Sequence, residues 1–137
     1  MNSINHWNHF IQLEQIMNKK LAKISSAKLE IKERSILNFW IFVDYEEGCS
    51  QNIGGIVLDT YDKEKRCRVG SAYGCEVIRR LLLSLNVDDF SEMKGKHIWV
   101  LGEGDGFSFN PKGIQKLSTD AGDSNPVIFD EILAEFT

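Results

Sequence analysis

The chain has 137 residues, 42% of them hydrophobic and 26% charged, with only two prolines, which is the make-up of a globular domain rather than of a disordered tail or fibrous repeat. Its net charge of −4 creates no overall field favouring DNA or an anionic membrane. No apolar run approaches the about 20 residues a spanning helix needs, and Met1-Asn2-Ser3-Ile4-Asn5-His6 is not a basic start leading into an apolar stretch, so neither membrane insertion nor export is expected.

Along the chain, Trp7, Phe10, Ile11, Met17, Leu21 and Ile24 recur at spacings of three and four, which predicts an amphipathic N-terminal helix over residues 4–24, ended by Ser25-Ser26. Lys28-Leu29-Glu30-Ile31-Lys32 then alternates polar with apolar, as a half-covered strand does. Residues 36–45 are dense in β-branched and aromatic side chains and predict a central strand. A turn at Glu46-Glu47-Gly48 leads to a strand over residues 54–59, antiparallel to its predecessor, and Gly54-Gly55 signals a bulge or a close backbone approach.

Residues 61–70 read as a charged connection, and Val77, Ile78, Leu81, Leu82 and Leu85 share one face of a helix over residues 71–85. A strand follows over residues 96–101, then a glycine-rich turn, a hairpin built from residues 107–109 and 114–117, and a last helix opened by Asn125-Pro126. The fold class is therefore α+β: a mostly antiparallel sheet with an N-terminal amphipathic helix, a central helix and a short C-terminal helix. With no repeat and no low-complexity linker, residues 1–137 form one domain, a helix over 1–26 followed by an α+β core over 27–137.

Two segments carry the binding chemistry. Arg66 and Arg68 stand beside the entry to the central helix, where free backbone N–H groups and the helix dipole favour an anion, and where Ser71 either caps the helix or, with Tyr73, reaches a ligand. The plainer alternative is a capped helix with solvated arginines. After the glycine-rich turn, Phe107 or Phe109 offers a ring for a base, Asn110 an amide for a base edge and Lys112 a cation for a phosphate; the alternative is a hairpin whose phenylalanines tuck into the core.

Gly102, Gly104 and Gly106 lack the following helix of a dinucleotide-binding turn, and no phosphate-loop motif is present. His6, His9 and His97 are scattered, and Cys49, Cys67 and Cys75 form no C-x-x-C pair, so no metal site and no cofactor are expected and the thiols are read as reduced, in a cytoplasmic setting. Cys75 and the scattered aspartates form no catalytic centre, and binding without catalysis is the expectation. Trp7 and Phe10, if exposed on their helix, would demand a second subunit, which points to a homodimer or higher homo-oligomer.

The aromatic strand ending in Asp44-Tyr45, the run Gly54-Gly55-Ile56-Val57-Leu58-Asp59, the helix entry Arg68-Val69-Gly70-Ser71-Ala72-Tyr73-Gly74-Cys75 and Asn86-Val87-Asp88-Asp89-Phe90 before Lys94-Gly95-Lys96 together resemble the first-described family of phage anti-Thoeris sponges. That resemblance implies sequestration, in the bacterial host cytoplasm, of a cyclic ADP-ribose isomer made by an immune enzyme, and in some members of cyclic oligonucleotides, without cleavage. It implies a cyclic nucleotide as partner rather than a nucleic-acid polymer or a membrane. The rival reading is an acidic protein-binding inhibitor of a host defence complex, similar to an anti-CRISPR, presenting Asp44, Glu46, Glu47, Asp88, Asp89 and Glu92 as phosphate mimics.

Overall fold

The computed structural model describes residues 17–117 and 126–137. Strand β1 (Asn18–Lys32) organises the sheet, pairing along one edge with β2 (Ile36–Tyr45) and, over its first residues only, along the other with β6 (His97–Glu103). β2 carries β3 (Ser50–Val57) on its far side, while β6 carries β7 (Asn110–Lys116), which pairs in turn with the two-residue β8 (Val127–Ile128). The order is β3-β2-β1-β6-β7-β8 and every neighbouring pair is antiparallel. A small separate ribbon pairs β4 (Asp59–Asp62) with β5 (Cys67–Gly70), and it leads directly into helix α1 (Ala72–Leu85).

From Asn18 onward the expected N-terminal helix is a strand, and residues 1–16 of that reading lie outside the described residues. A bulge interrupts this strand at Ser25, where the pairing with β2 slips by one residue between Ile24 and Ser26. Before the bulge, even positions face inward, with Ala22 and Ile24 buried; after it, odd positions do, since Leu29 faces the buried Phe39. The described residues that suggested a helix, Met17, Leu21 and Ile24, lie ahead of the bulge, and Leu21 is a half-buried apolar side chain on the face opposite Ala22 and Ile24, so it breaks the period of two and imitates helical spacing. Pairing on both edges then decides in favour of the strand. The Ser25 hydroxyl donates to Phe42 O at 3.0 Å and so holds the bulge in place.

The strand expected over 36–45 stands as β2, with Phe39, Ile41 and Val43 fully buried. Gly54-Gly55 marks a bulge in β3, as anticipated: Trp40 pairs with Gly54 and Phe39 with Ile56, leaving Gly55 (φ 66°) beneath the Trp40 ring. The expected helix over 71–85 is α1, capped by Ser71 and closed by Asn86 in the left-handed conformation; it buries Val77, Leu81 and Leu85 against the sheet's inner face.

The C-terminal part differs from expectation in two places. Residues 107–109 do not pair with 114–117; Gly106–Ser108 is a single 3₁₀ turn, and β7 pairs with β6 and β8 instead. The last helix, α2 (Phe129–Glu135), opens after β8 rather than at Pro126, which stands just ahead of that strand. Glu135 accepts two bonds from Arg80 on α1, at 2.6 and 2.8 Å, locking the helices together. Among the described residues no helix is long and apolar enough to cross a membrane, and the three cysteines are free and exposed.

The sheet curls strongly. Gln51 on edge strand β3 donates to Phe109 O, at the head of β7, at 3.2 Å, and the Phe109 ring meets Tyr45 edge-on at 6.2 Å between centroids. Beyond that contact the two strands do not pair, and a seam is left between β3 and β7.

Candidate functional site

That seam is a groove of about 670 Å³. One wall is β3, through Ile53, Gly54, Ile56 and Val57, continuing into Asp59 and Thr60 of β4. Opposite stand Pro111 and Lys112 of β7, with Phe129, Asp130, Leu133 and Phe136 in and around α2, and the first turn of α1 (Ala72 and Tyr73, with the cap Ser71) also lines the cavity. Lys112 reaches this wall through a second bulge: Gly102 pairs with Pro111 and Leu101 with Gly113, so Lys112 has no opposite number on β6.

The helix entry is rigidly held. Ser71 Oγ accepts from Gly74 N at 2.9 Å while its hydroxyl donates to Leu58 O at 3.0 Å, and Ser71 N also donates to Leu58 O. Gly74 is required by this seat, because a Cβ there would overlap the Leu58 backbone. With Gly74 N capped, the N–H groups of Ala72 and Tyr73 are the first-turn donors without intrahelical acceptors, and both residues line the groove.

Asp59 closes the inner end. Its Oδ1 accepts from Arg68 Nε at 2.9 Å and Nη2 at 2.6 Å, and its Oδ2 accepts from Leu37 N at 3.0 Å, which links the small ribbon to β2. The bonds from Arg68 hold the Asp59 carboxyl below its ordinary range against the opposing effect of burial, and the same contact raises the Arg68 guanidinium. At the mouth, Lys112 Nζ lies 3.7 Å from Asp130 Oδ2, a long pair with an exposed acid. The Tyr73 hydroxyl donates to Phe129 O at 3.5 Å, and burial, with Asp130 nearby, pushes its pKa up.

Of the residues singled out from the sequence, Ser71, Tyr73 and Lys112 meet in this groove and the other five do not line it. Arg68 is committed to Asp59, so it neutralises an acid of the wall instead of presenting a fork to solvent. Arg66 sits exposed in the β4–β5 turn with φ 56° and does not line the groove at the helix entry. Phe109 is buried beside Tyr45, Asn110 is exposed at the start of β7, and Phe107 is fully exposed on the 3₁₀ turn, so the aromatic platform expected of residues 107–110 is not assembled.

Lining residues that sequence reasoning did not assign to a site include Asp59, Thr60, Phe129, Asp130, Leu133 and Phe136. Leu133 and Phe136 carried a signal, being apolar at helical spacing near the chain end yet about half exposed in the fold, at 43% and 46%. Among the acids considered as phosphate mimics, Asp44 accepts from Ser50, Glu47 pairs with Lys20 and Asp89 caps the 3₁₀ turn at Phe90–Met93. Among the described residues no group of three His, Cys, Asp or Glu side chains is placed to hold a metal ion.

No protein-family model, no curated protein and no solved structure matched the chain.

Proposed function

We propose that the protein is a binding protein that sequesters a phosphate-bearing nucleotide signal in the groove between β3, β7 and the first turn of α1, without turnover. The observation that carries this reading is the meeting, in one groove of about 670 Å³, of a lysine and a helix N-terminus with the rings of Tyr73, Phe129 and Phe136. The volume lies within the range of about 300–1,000 Å³ typical of small-molecule sites. Lys112 and the Ala72 and Tyr73 N–H groups take the phosphates, and the aromatic and aliphatic wall takes the base.

The electrostatics support an anion despite two acids on the wall. Arg68 offsets Asp59, and the Lys112–Asp130 pair is the kind of exposed contact worth only about 0–1 kcal/mol, so a phosphate displaces it at little cost. A sponge must hold its ligand tightly, and a nanomolar dissociation constant corresponds to about −12 kcal/mol, which favours a preformed site. The bonds among Ser71, Leu58 and Gly74 supply that preformation. A cyclic ADP-ribose isomer, the ligand class implied by the resemblance to anti-Thoeris sponges, is the first compound to test, with cyclic oligonucleotides next.

Incubation with these compounds, followed by filtration, should deplete the free nucleotide, and heating the protein should return it intact. Lys112→Ala and Leu133→Asp should weaken uptake, whereas Arg66→Ala and Phe107→Ala, both outside the groove, should leave it unchanged. Recovery of a hydrolysed product would overturn the reading of binding without turnover.

A further inference from the structure

Strand β1 is longer than one of its partners. β2 covers it from Ala22 to Lys32, but β6 pairs only with residues 18–23, and the last backbone bonds on that edge join Ile24 to Gly95 and Lys96. Among the described residues nothing pairs with residues 26–32 on that side, which leaves an open sheet edge seven residues long, about 23 Å at 3.3 Å per residue. The chain ahead of β6 does not cover this edge, because the 3₁₀ turn at Phe90–Met93 folds beneath the sheet, with Phe90 packed edge-on against Phe39 at 5.3 Å. Leu29 and Ile31, on the inner face of the open stretch, are 51% and 58% exposed. On the outer face Lys28, Glu30 and Lys32 form an alternating row, with Glu30 bonded to both lysines.

An exposed edge with apolar side chains is a template for another strand. We propose that it pairs with the same edge of a second copy of this chain, antiparallel and centred on Leu29. Length and charge together select that register, since a centre at Ile31 also opposes Glu30 to Lys32 but pairs only residues 30–32 of the open stretch. With Leu29 facing Leu29, Lys28 of each copy faces Glu30 of the other, and Ala27 faces Ile31. Moving the centre by one residue to Glu30 sets Glu30 against Glu30 and Lys28 against Lys32, placing like charges opposite one another. In the Leu29-centred register the parity of both strands agrees, so apolar residues stay on one face and charges on the other. Pairing stops where each β6 begins, which confines the interface to the open stretch.

The contact is small beside the 1,200–2,000 Å² of a standard stable interface, so a dimer forming in the micromolar range is expected. Sedimentation of the full chain at about 100 µM should give a dimer, and a monomer at that concentration overturns the proposal. Glu30→Lys should weaken the dimer at least tenfold, and Lys28→Glu added to it should restore association, because the opposite-charge pairing returns in reversed order; failure to restore it overturns the register. In a background with Cys49, Cys67 and Cys75 replaced by serine, Leu29→Cys should oxidise to a covalent dimer, its Cα lying about 5 Å from its counterpart. Lys32→Cys should not, because its counterpart is about 20 Å away. Equal cross-linking of both, or of neither, contradicts the proposal, and circular dichroism of each variant establishes that it is folded.

Discussion

Gly74→Ala tests the seat of the helix entry, because two physical effects give it opposite signs. In an exposed helix interior the change gains about 1 kcal/mol from helix propensity. Here the new Cβ would overlap Leu58 O most closely and come within 2.6 Å of Leu58 Cα and 2.7 Å of its carbonyl carbon, where ordinary contact begins at 3.4 Å, so α1 or the chain at Leu58 must move by more than about 0.8 Å. Both sides of the clash are backbone and no rotamer change relieves it. Overpacking of this kind costs about 1–3 kcal/mol, with the upper end appropriate to a backbone clash, and the net expectation is a loss of about 1–2 kcal/mol. The movement also breaks the alignment of Ser71 with Leu58, shifting Ala72 and Tyr73 on the groove wall. Urea unfolding followed by circular dichroism should show a lower midpoint with an unchanged slope. Gly70→Ala is the control: a Cβ there meets nothing within 4 Å, and its effect should be neutral or slightly stabilising. A Gly74→Ala protein as stable as the parent would refute the close seat of α1 on Leu58.

Ser71→Ala removes the helix cap and the donor to Leu58 O, and should lower stability by about 1 kcal/mol in the same urea assay. The Asp59 carboxyl is held below its ordinary value of 3.8 by Arg68, so its contribution is fully present above that pH and is lost as pH falls through the lower folded value; Asp59→Asn should flatten the acid limb of a stability profile taken from pH 6 to pH 2. Tyr45 has the opposite sign: burial, with Glu47 nearby, pushes it up to about 12, so its contribution is present below pH 10 and fades as pH rises toward 12. Spectrophotometric titration should show a late tyrosinate step that Tyr45→Phe removes.

How much of this was legible in the sequence depended on whether local period and tertiary pairing agree. In β2 and α1 they do: Phe39, Ile41 and Val43 alternate, Val77, Leu81 and Leu85 repeat at four, and Ser71 is a cap by residue type and by geometry. In β1 they conflict, because Leu21 is apolar on the face opposite the buried Ala22 and Ile24, so that with Ile24 it imitates helical spacing before the Ser25 bulge reverses the inward parity. The β4–β5 ribbon was hidden for another reason. Its turn is closed by Asp62, whose carboxylate accepts from Glu64 N and Lys65 N, and by Arg66 in a left-handed conformation that its residue type does not advertise.

The site was legible only as separate pieces. Ser71, Tyr73 and Lys112 each stood out by chemistry, but their meeting depends on the curl that brings β3 to β7 and on the bulge at Lys112, both long-range effects. Arg68 misled because Asp59, nine residues earlier in sequence, pairs with it across the ribbon.

The central claim is that a phosphate-bearing nucleotide is held intact in this groove. Native mass spectrometry of the protein after exposure to cyclic ADP-ribose isomers and cyclic oligonucleotides tests it most directly, with Leu133→Asp measured alongside. An adduct of the intact nucleotide's mass is expected on the parent chain and should be lost from Leu133→Asp, which places a carboxylate in the apolar wall that takes the base. No adduct with any of these ligands, or an adduct equally strong on Leu133→Asp, would contradict it.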